Sequence, residues 1–212
     1  SEGKDDPNDQ LKALKKHYIG AIGINAEELF SILTPPKQEN FLGIYEIFLY
    51  GIVEHISPQD LPTALRWVKT KGALSDPISS FAYLSDKIML KAWNNLDYPD
   101  VLNAFAKVVI SRLNHYGKVI SDCHDSKLRE ALNENDDNRR RILEAIVPLL
   151  PELNKKNTYL LFHSDTPLAS SKDLYWMIGC LQKSDSEQIQ RCWAELIDYA
   201  FDRGNTEQLN SI

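Results

Sequence analysis

The chain has 212 residues, 43% of them hydrophobic and 25% charged, and its 30 acidic against 24 basic side chains leave a net charge of -6. That length supports one or two domains, with roughly 70% of the unfolded surface hidden on folding, and the composition excludes disorder, a collagen-like chain and a Pro-rich linker. The acidic balance, with a pI near 5.4, also lacks the basic field with which a non-specific nucleic-acid binder displaces counterions.

Residues 1–10, SEGKDDPNDQ, read as a flexible lead-in and are the opposite of a signal peptide. Leu11, Leu14, Tyr18 and Ile19 then recur at helical spacing, and Gly20 and Gly23 stop that helix. Asn25 with Glu28 forms a capping-box pattern ahead of Leu29, Ile32 and Leu33, and Thr34-Pro35-Pro36 ends the run. Phe41 to Ile56 is the most apolar helix. Glu46, Glu54 and His55 interrupt it, so it reads as a buried helix and not a membrane span.

Three helices come next with similar punctuation. Ser57-Pro58 starts one carrying Leu61, Leu65 and Val68, which stops at Lys71-Gly72. Asp76-Pro77 starts a second with Phe81, Leu84, Ile88 and Trp93. Asp97-Tyr98-Pro99 starts a third with Leu102, Phe105, Ala106, Val109 and Leu113, ending at His115-Tyr116-Gly117. Pro58 and Pro99 stand 41 residues apart with similar apolar offsets after them, a spacing in the range of two-helix HEAT-like units. Short connections make successive helices antiparallel neighbours.

Leu128, Ala131 and Leu132 predict a short helix, and the run NENDDN (133–138) an exposed loop that caps the next. That next helix, Arg139 to Val147, turns Ile142, Leu143 and Ile146 inward, and Pro148 and Pro151 fragment the chain beyond it. Tyr159 to Phe162 is a strand-like run or a buried turn, and His163 to Ser171 is the longest loop. Ser171 or Asp173 caps a helix through Leu174, Ile178 and Leu181. Ser184 with Glu187 has the pattern of a capping box for a last helix through Ile189, Cys192, Trp193, Leu196 and Ile197, ending at Arg203-Gly204.

The fold expected is therefore all-α, built of antiparallel helix pairs in a HEAT-like or irregular α-solenoid, with an irregular helical bundle as the alternative. Residues 11–204 form one helical-repeat-like domain with a weak subdivision near 117–138, and 205–212 form a tail.

Chemistry is sparse. No phosphate-binding loop is present, since Gly117-Lys118 lacks both the following Ser or Thr and the upstream glycine. No nucleophile elbow is present either. Cys123-His124-Asp125 gathers ligand types, and His115 and His163 would have to join it through tertiary contact to close a metal site. The His124-Asp125 pair is similar to the doublet of all-helical metal-dependent phosphohydrolases, a resemblance that implies His55 or His115 as the upstream ligand and Asp165 or Asp198 as the later one. His115, Cys123, His124, Asp125 and His163 are together the alternative metal or hydrolase site. The leading expectation assigns no catalytic residue, no metal and no cofactor. Arg139-Arg140-Arg141 is the one dense basic cluster and reads as a solvated helix face neutralised by Asp136, Asp137 and Glu144. The four tryptophans lie on helices. Trp67, flanked by Arg66 and Lys69, and the Tyr175-Trp176 pair are the aromatic residues best placed to anchor a protein contact. The odd set of cysteines, Cys123, Cys180 and Cys192, is no disulfide framework and points to a reducing, cytoplasmic setting.

The stretches SPQDLPTALRWVKTKG (57–72), DPISSFAYLSDKIMLKAWNNLDYPDVLNAFAKVVISRLNHY (76–116) and TYLLFHSDTPLASSKDLYWMIG (158–179) resemble the helical-repeat region of very large bacterial NACHT/STAND-type NTPases. The three stretches make up somewhat more than a third of the chain. It implies a C-terminal array that comes after an NTPase module and acts as sensor or autoinhibitory surface, in a family implicated in defence against phage. The Walker residues are absent, so the resemblance carries over the sensor or scaffold role and not the ATPase activity. Other expectations are an excerpt of a larger chain, partnered by protein or by other domains of the same chain, monomeric or weakly dimeric, without nucleic acid or membrane. A small helical bundle that binds an apolar ligand through the Phe41 to Ile56 helix is a third reading.

Overall fold

In the computed structural model the described residues are 51, 53–72, 80–117, 123, 125–134, 136–153, 158–162 and 168–202. The helices expected before residue 51, the Asp76-Pro77 start, His124 and His163 lie outside them. Among the described residues the fold is all-helical, with no strand. The α-helices are α1 (Leu61–Trp67), α2 (Ser80–Trp93), α3 (Pro99–Tyr116), α4 (Ser126–Glu134), α5 (Asp136–Ile146), α6 (Ser171–Gln182) and α7 (Glu187–Asp202). A π-helical turn, Val68–Gly72, extends α1, and 3-10 segments occupy Val147–Glu152 and Thr158–Leu161.

The central helix is α3, and its bounds are set by its sequence. Pro99 sits in the first turn, where it forfeits no intrahelical hydrogen bond. Gly117 closes the helix in the left-handed conformation at φ 66°, and its N–H donates to the Leu113 carbonyl at 3.0 Å. Val101, Phe105, Ala106, Val108, Val109, Ile110 and Leu113 are all buried. A helix that is apolar over so much of its circumference must be covered on several sides, and α3 packs against α1, α2, α5 and the Val147–Glu152 segment.

Helices two apart in the sequence lie side by side. α1 packs on α3, α3 on α5, and α2 on α4, while α1 to α2 and α2 to α3 are sequential contacts. α6 and α7 pair with each other, and the two 3-10 segments dock on α7. One continuous core runs through these elements, from Val53 and Ile56 to Leu196 and Ala200.

Several boundaries differ from expectation. Ser57-Pro58 begins a turn and not a helix. The Ser57 hydroxyl donates to the Asp60 carboxylate at 2.7 Å and accepts from the Asp60 N–H at 3.3 Å, so the helix proper begins at Leu61. The start that matches Pro99 is therefore Leu61, with Pro62 in its first turn. The NENDDN loop is almost wholly helical. Asn133 and Glu134 finish α4 and Asp136 opens α5, because Asp and Asn are favoured at helix starts as well as in loops. The capping residue of α6 is Ser170, not Ser171. Its hydroxyl accepts from Asp173 N–H at 3.3 Å, and the Asp173 carboxylate accepts from Ser170 N–H at 2.8 Å. Ser184 caps no helix either. It accepts from Ser186 N–H at 3.3 Å in a preceding turn, and Glu187 is the first residue of α7. Tyr159 to Phe162 resolves as a 3-10 turn.

Candidate functional site

The first predicted surface lies on α1. Arg66 is exposed and donates to the Thr63 hydroxyl at 2.7 Å. Lys69 is half-buried, and its carbonyl accepts from the Ser111 hydroxyl at 3.3 Å. Trp67, however, is only 5% exposed and belongs to the core. It shares the inward phase of α1 with Ala64 and Val68, so its ring is not offered to a partner. The basic neighbours that recommended it project from the other side of the helix.

Cys123 and Asp125 come together, but around charges and not around an ion. Asp86 on α2 is fully buried, and its Oδ1 accepts from Arg112 Nη2 on α3 at 2.7 Å. Its Oδ2 accepts from the Asp125 N–H at 3.1 Å. Arg112 Nη1 also reaches Cys123 Sγ at 3.6 Å. Asp125 caps α4, accepting from Lys127 N–H at 2.8 Å and Leu128 N–H at 3.3 Å, and pairs with Lys87 Nζ at 2.6 Å. Arg129 closes the group by donating to the Cys123 carbonyl.

This geometry sets the electrostatics. Burial opposes the charge on Arg112, but the Asp86 carboxylate and Cys123 beside it hold the proton more firmly still. Burial pushes the Cys123 thiol up to about 12 against the pull of Arg112, so the sulfur is a thiol and not a nucleophile. Burial pushes Asp125 up as well, but Lys87 and the two N–H groups outweigh it and hold the carboxyl below its ordinary range. The Asp125 oxygens are thus engaged as a helix cap and a salt-bridge partner. His115 is exposed at the end of α3, and among the described residues no group of three His, Cys, Asp or Glu side chains stands close enough to hold a metal.

The sequence signal for this network was available in Asp86 and Arg112. Each is a charge on the buried phase of its helix, Asp86 between Ala82 and Met89, Arg112 beside Val108 and Val109. Opposite charges on two inward stripes point to each other.

The second predicted surface is assembled on α6. Tyr175 and Trp176 are half-buried and, with Gly179, Cys180, Gln182 and Lys183, line an open groove of about 590 Å³. The Arg140 guanidinium of α5 lies 3.5 Å from the centre of the Trp176 ring. It is held there by Asp173 at 3.3 Å and by Glu144 at 3.5 Å. Gly179 has open space where a Cβ would stand, with no atom within 4 Å. The arginine trio is therefore more than a solvated face. Arg140 ties α5 to α6, and Arg141 reaches Asp97 ahead of α3. The sequence placed Tyr175 and Trp176 on this face but gave no sign of Arg140, which arrives from 33 residues before Asp173.

Among the described residues no helix is long and apolar enough to cross a membrane. Comparison with protein-family models, with curated proteins and with solved structures finds no match at a significant level.

Proposed function

We propose that this chain is a non-catalytic scaffold or sensor segment of a HEAT-like α-solenoid, part of a larger chain, which meets protein through the exposed face of α6. Two features support the repeat reading. α1, α3 and α5 pack in succession as one row, and α2 and α4 pack as a second, which is how stacked helix pairs bury their apolar faces. The resemblance of 57–72, 76–116 and 158–179 to NACHT/STAND repeat regions agrees with such a role, with other domains of the same chain as the partners. A reducing, cytoplasmic setting suits Cys123, Cys180 and Cys192, none of which is in a disulfide.

The observation that carries the binding reading is the α6 groove. Tyr, Trp and Arg are the residues that most often dominate protein contacts, and here Tyr175 and Trp176 line one open groove while Arg140 stacks on the Trp176 ring. The test is site-specific photo-crosslinking in cells. A photoreactive residue replaces Gln182 or Lys183 beside the groove, or Asn133 on α4 as control. Crosslinks from the α6 positions to one protein, or to another domain of the same chain, and their loss on Trp176→Ala are expected. Crosslinks that stay at the control level would overturn the reading.

A further inference from the structure

α4 is held in an unusual way. Its nine residues bury only two side chains, Leu128 and Leu132. Among the described residues its principal helix contact is α2. A helix this short does not persist without tertiary support, and its apolar share is confined to these two leucines and the half-buried Ala131. Among the described residues the remaining attachments are polar. Asp86 holds the Asp125 N–H, Lys87 holds the Asp125 carboxylate, and Arg112 contacts the Cys123 sulfur. All three of these side chains belong to α2 or α3, and all three converge on the entry to α4.

We propose that Cys123 and Asp125–Glu134 form an electrostatically latched unit that opens from the α2–α3 pair as one piece while the rest of the fold stays intact. Segments with few buried apolar contacts are those that open below the free energy of global unfolding. The proposal is independent of the α6 binding surface. Opening would uncover Cys123, which is 1% exposed when the latch is closed, along with the Asp86–Arg112 pair beneath it.

The protein carries its own reporters. Cys123 sits at the latch, and Cys192, 3% exposed, sits on α7, which packs with α6 and the two 3-10 segments. Burial holds the Cys123 sulfur as an unreactive thiol, so it reacts only when opened. The experiment follows alkylation of each cysteine by mass spectrometry under native conditions, across a series of low urea concentrations. Cys123 is expected to react ahead of Cys192 with a much weaker urea dependence, since opening α4 exposes less surface than unfolding. Raising salt from about 0.05 to 1 M should speed Cys123 and leave Cys192 unchanged. Lys87→Met should speed Cys123 by about tenfold, again without effect on Cys192. The proposal fails if both cysteines react with one rate and one urea slope, or if Cys123 is labelled only with global unfolding. It fails equally if neither salt nor Lys87→Met moves Cys123 relative to Cys192. The urea and salt series use the unaltered chain, so they decide the matter even where the variant does not fold.

Discussion

Replacing Arg112 by Met removes the positive half of the buried pair at the α2–α3 contact. The Arg112 side chain is 6% exposed and that of Asp86 0%, so water cannot replace the lost guanidinium. A buried carboxylate stripped of its cation costs about 3–5 kcal/mol, a large share of the roughly 5–15 kcal/mol that holds a domain together. Asp86→Leu combined with Arg112→Met removes both charges. That double variant should recover most of the loss, because the desolvation penalty leaves with the charge. It should not recover all of it, since the Asp125 N–H now lacks the carboxylate it donates to at 3.1 Å, worth about 1–3 kcal/mol when unmet. Urea unfolding, monitored by far-UV circular dichroism and tryptophan fluorescence, reads Arg112→Met, Asp86→Leu alone and the double variant, and coincident curves license the two-state free energies. The reasoning is refuted if Arg112→Met costs under about 1 kcal/mol, or if the double variant loses the sum of the two single losses.

Further predictions concern acid, a glycine and a cap. With its folded pKa depressed, Asp125 stabilises fully above the unfolded carboxylate value near about 3.9, and that stability is lost as pH falls through the lower folded value. Asp125→Asn should flatten this acid limb in urea midpoints taken from about pH 6 to 2, and an unchanged limb would shift the effect to other carboxylates. Among the described residues Lys87 pairs with its carboxylate, Asp86 accepts from its N–H, and Arg112 and Arg129 contact the nearby Cys123. Gly179→Ala should raise stability by about 0.5–1 kcal/mol, because the helix gains a better residue and the new methyl meets nothing. A fall in thermal midpoint would contradict that. Ser170→Ala should cost about 1 kcal/mol by removing the hydroxyl from the α6 capping box, and no change in midpoint would show the cap to be idle.

What could be read from sequence was mostly local. Pro99 and Gly117 mark α3 because fixed φ and left-handed φ are properties of single residues. The stripes Leu84, Ile88 and Trp93, or Ile142, Leu143 and Ile146, are buried as their spacing requires. Caps were less legible. Ser170 and Ser171 are adjacent hydroxyls, and only the backbone conformation of Ser170, at ψ 169°, selects it. The acidic run 133–138 contains residues that suit loops and helix starts equally, and tertiary packing of Leu132 and Ile142 settles it as helix on both sides.

The candidate site was legible only in part. Tyr175 and Trp176 are legible as a surface because aromatic side chains are the usual anchors of protein contacts. Trp67 was drawn outward by Arg66 and Lys69, although neighbours along a helix point in different directions. Arg140 and Arg141 find their partners at Asp173 and Asp97, and contacts across such separations have no local signature. Lys91 is a similar case. Its ammonium reaches back to the carbonyls of Val53 and Glu54 at 2.8 and 2.6 Å, where a cation suits the end of the helical residues 53–55. Burial lowers its pKa despite Glu54 nearby.

The central claim, an open stack of helix pairs, is tested most directly by distances across the α1, α3 and α5 row. Arg66, Lys107 and Glu144 are exposed residues on those three helices, and spin labels at pairs of them report the separations by electron paramagnetic resonance. Packed helices lie about 8–10 Å apart. An open row therefore puts the labels on α1 and α5 at roughly twice the separation of either neighbouring pair, near about 20 Å. An α1 to α5 distance equal to or shorter than the neighbouring ones would mean that the helices close on themselves as a bundle, and would contradict the stacked array.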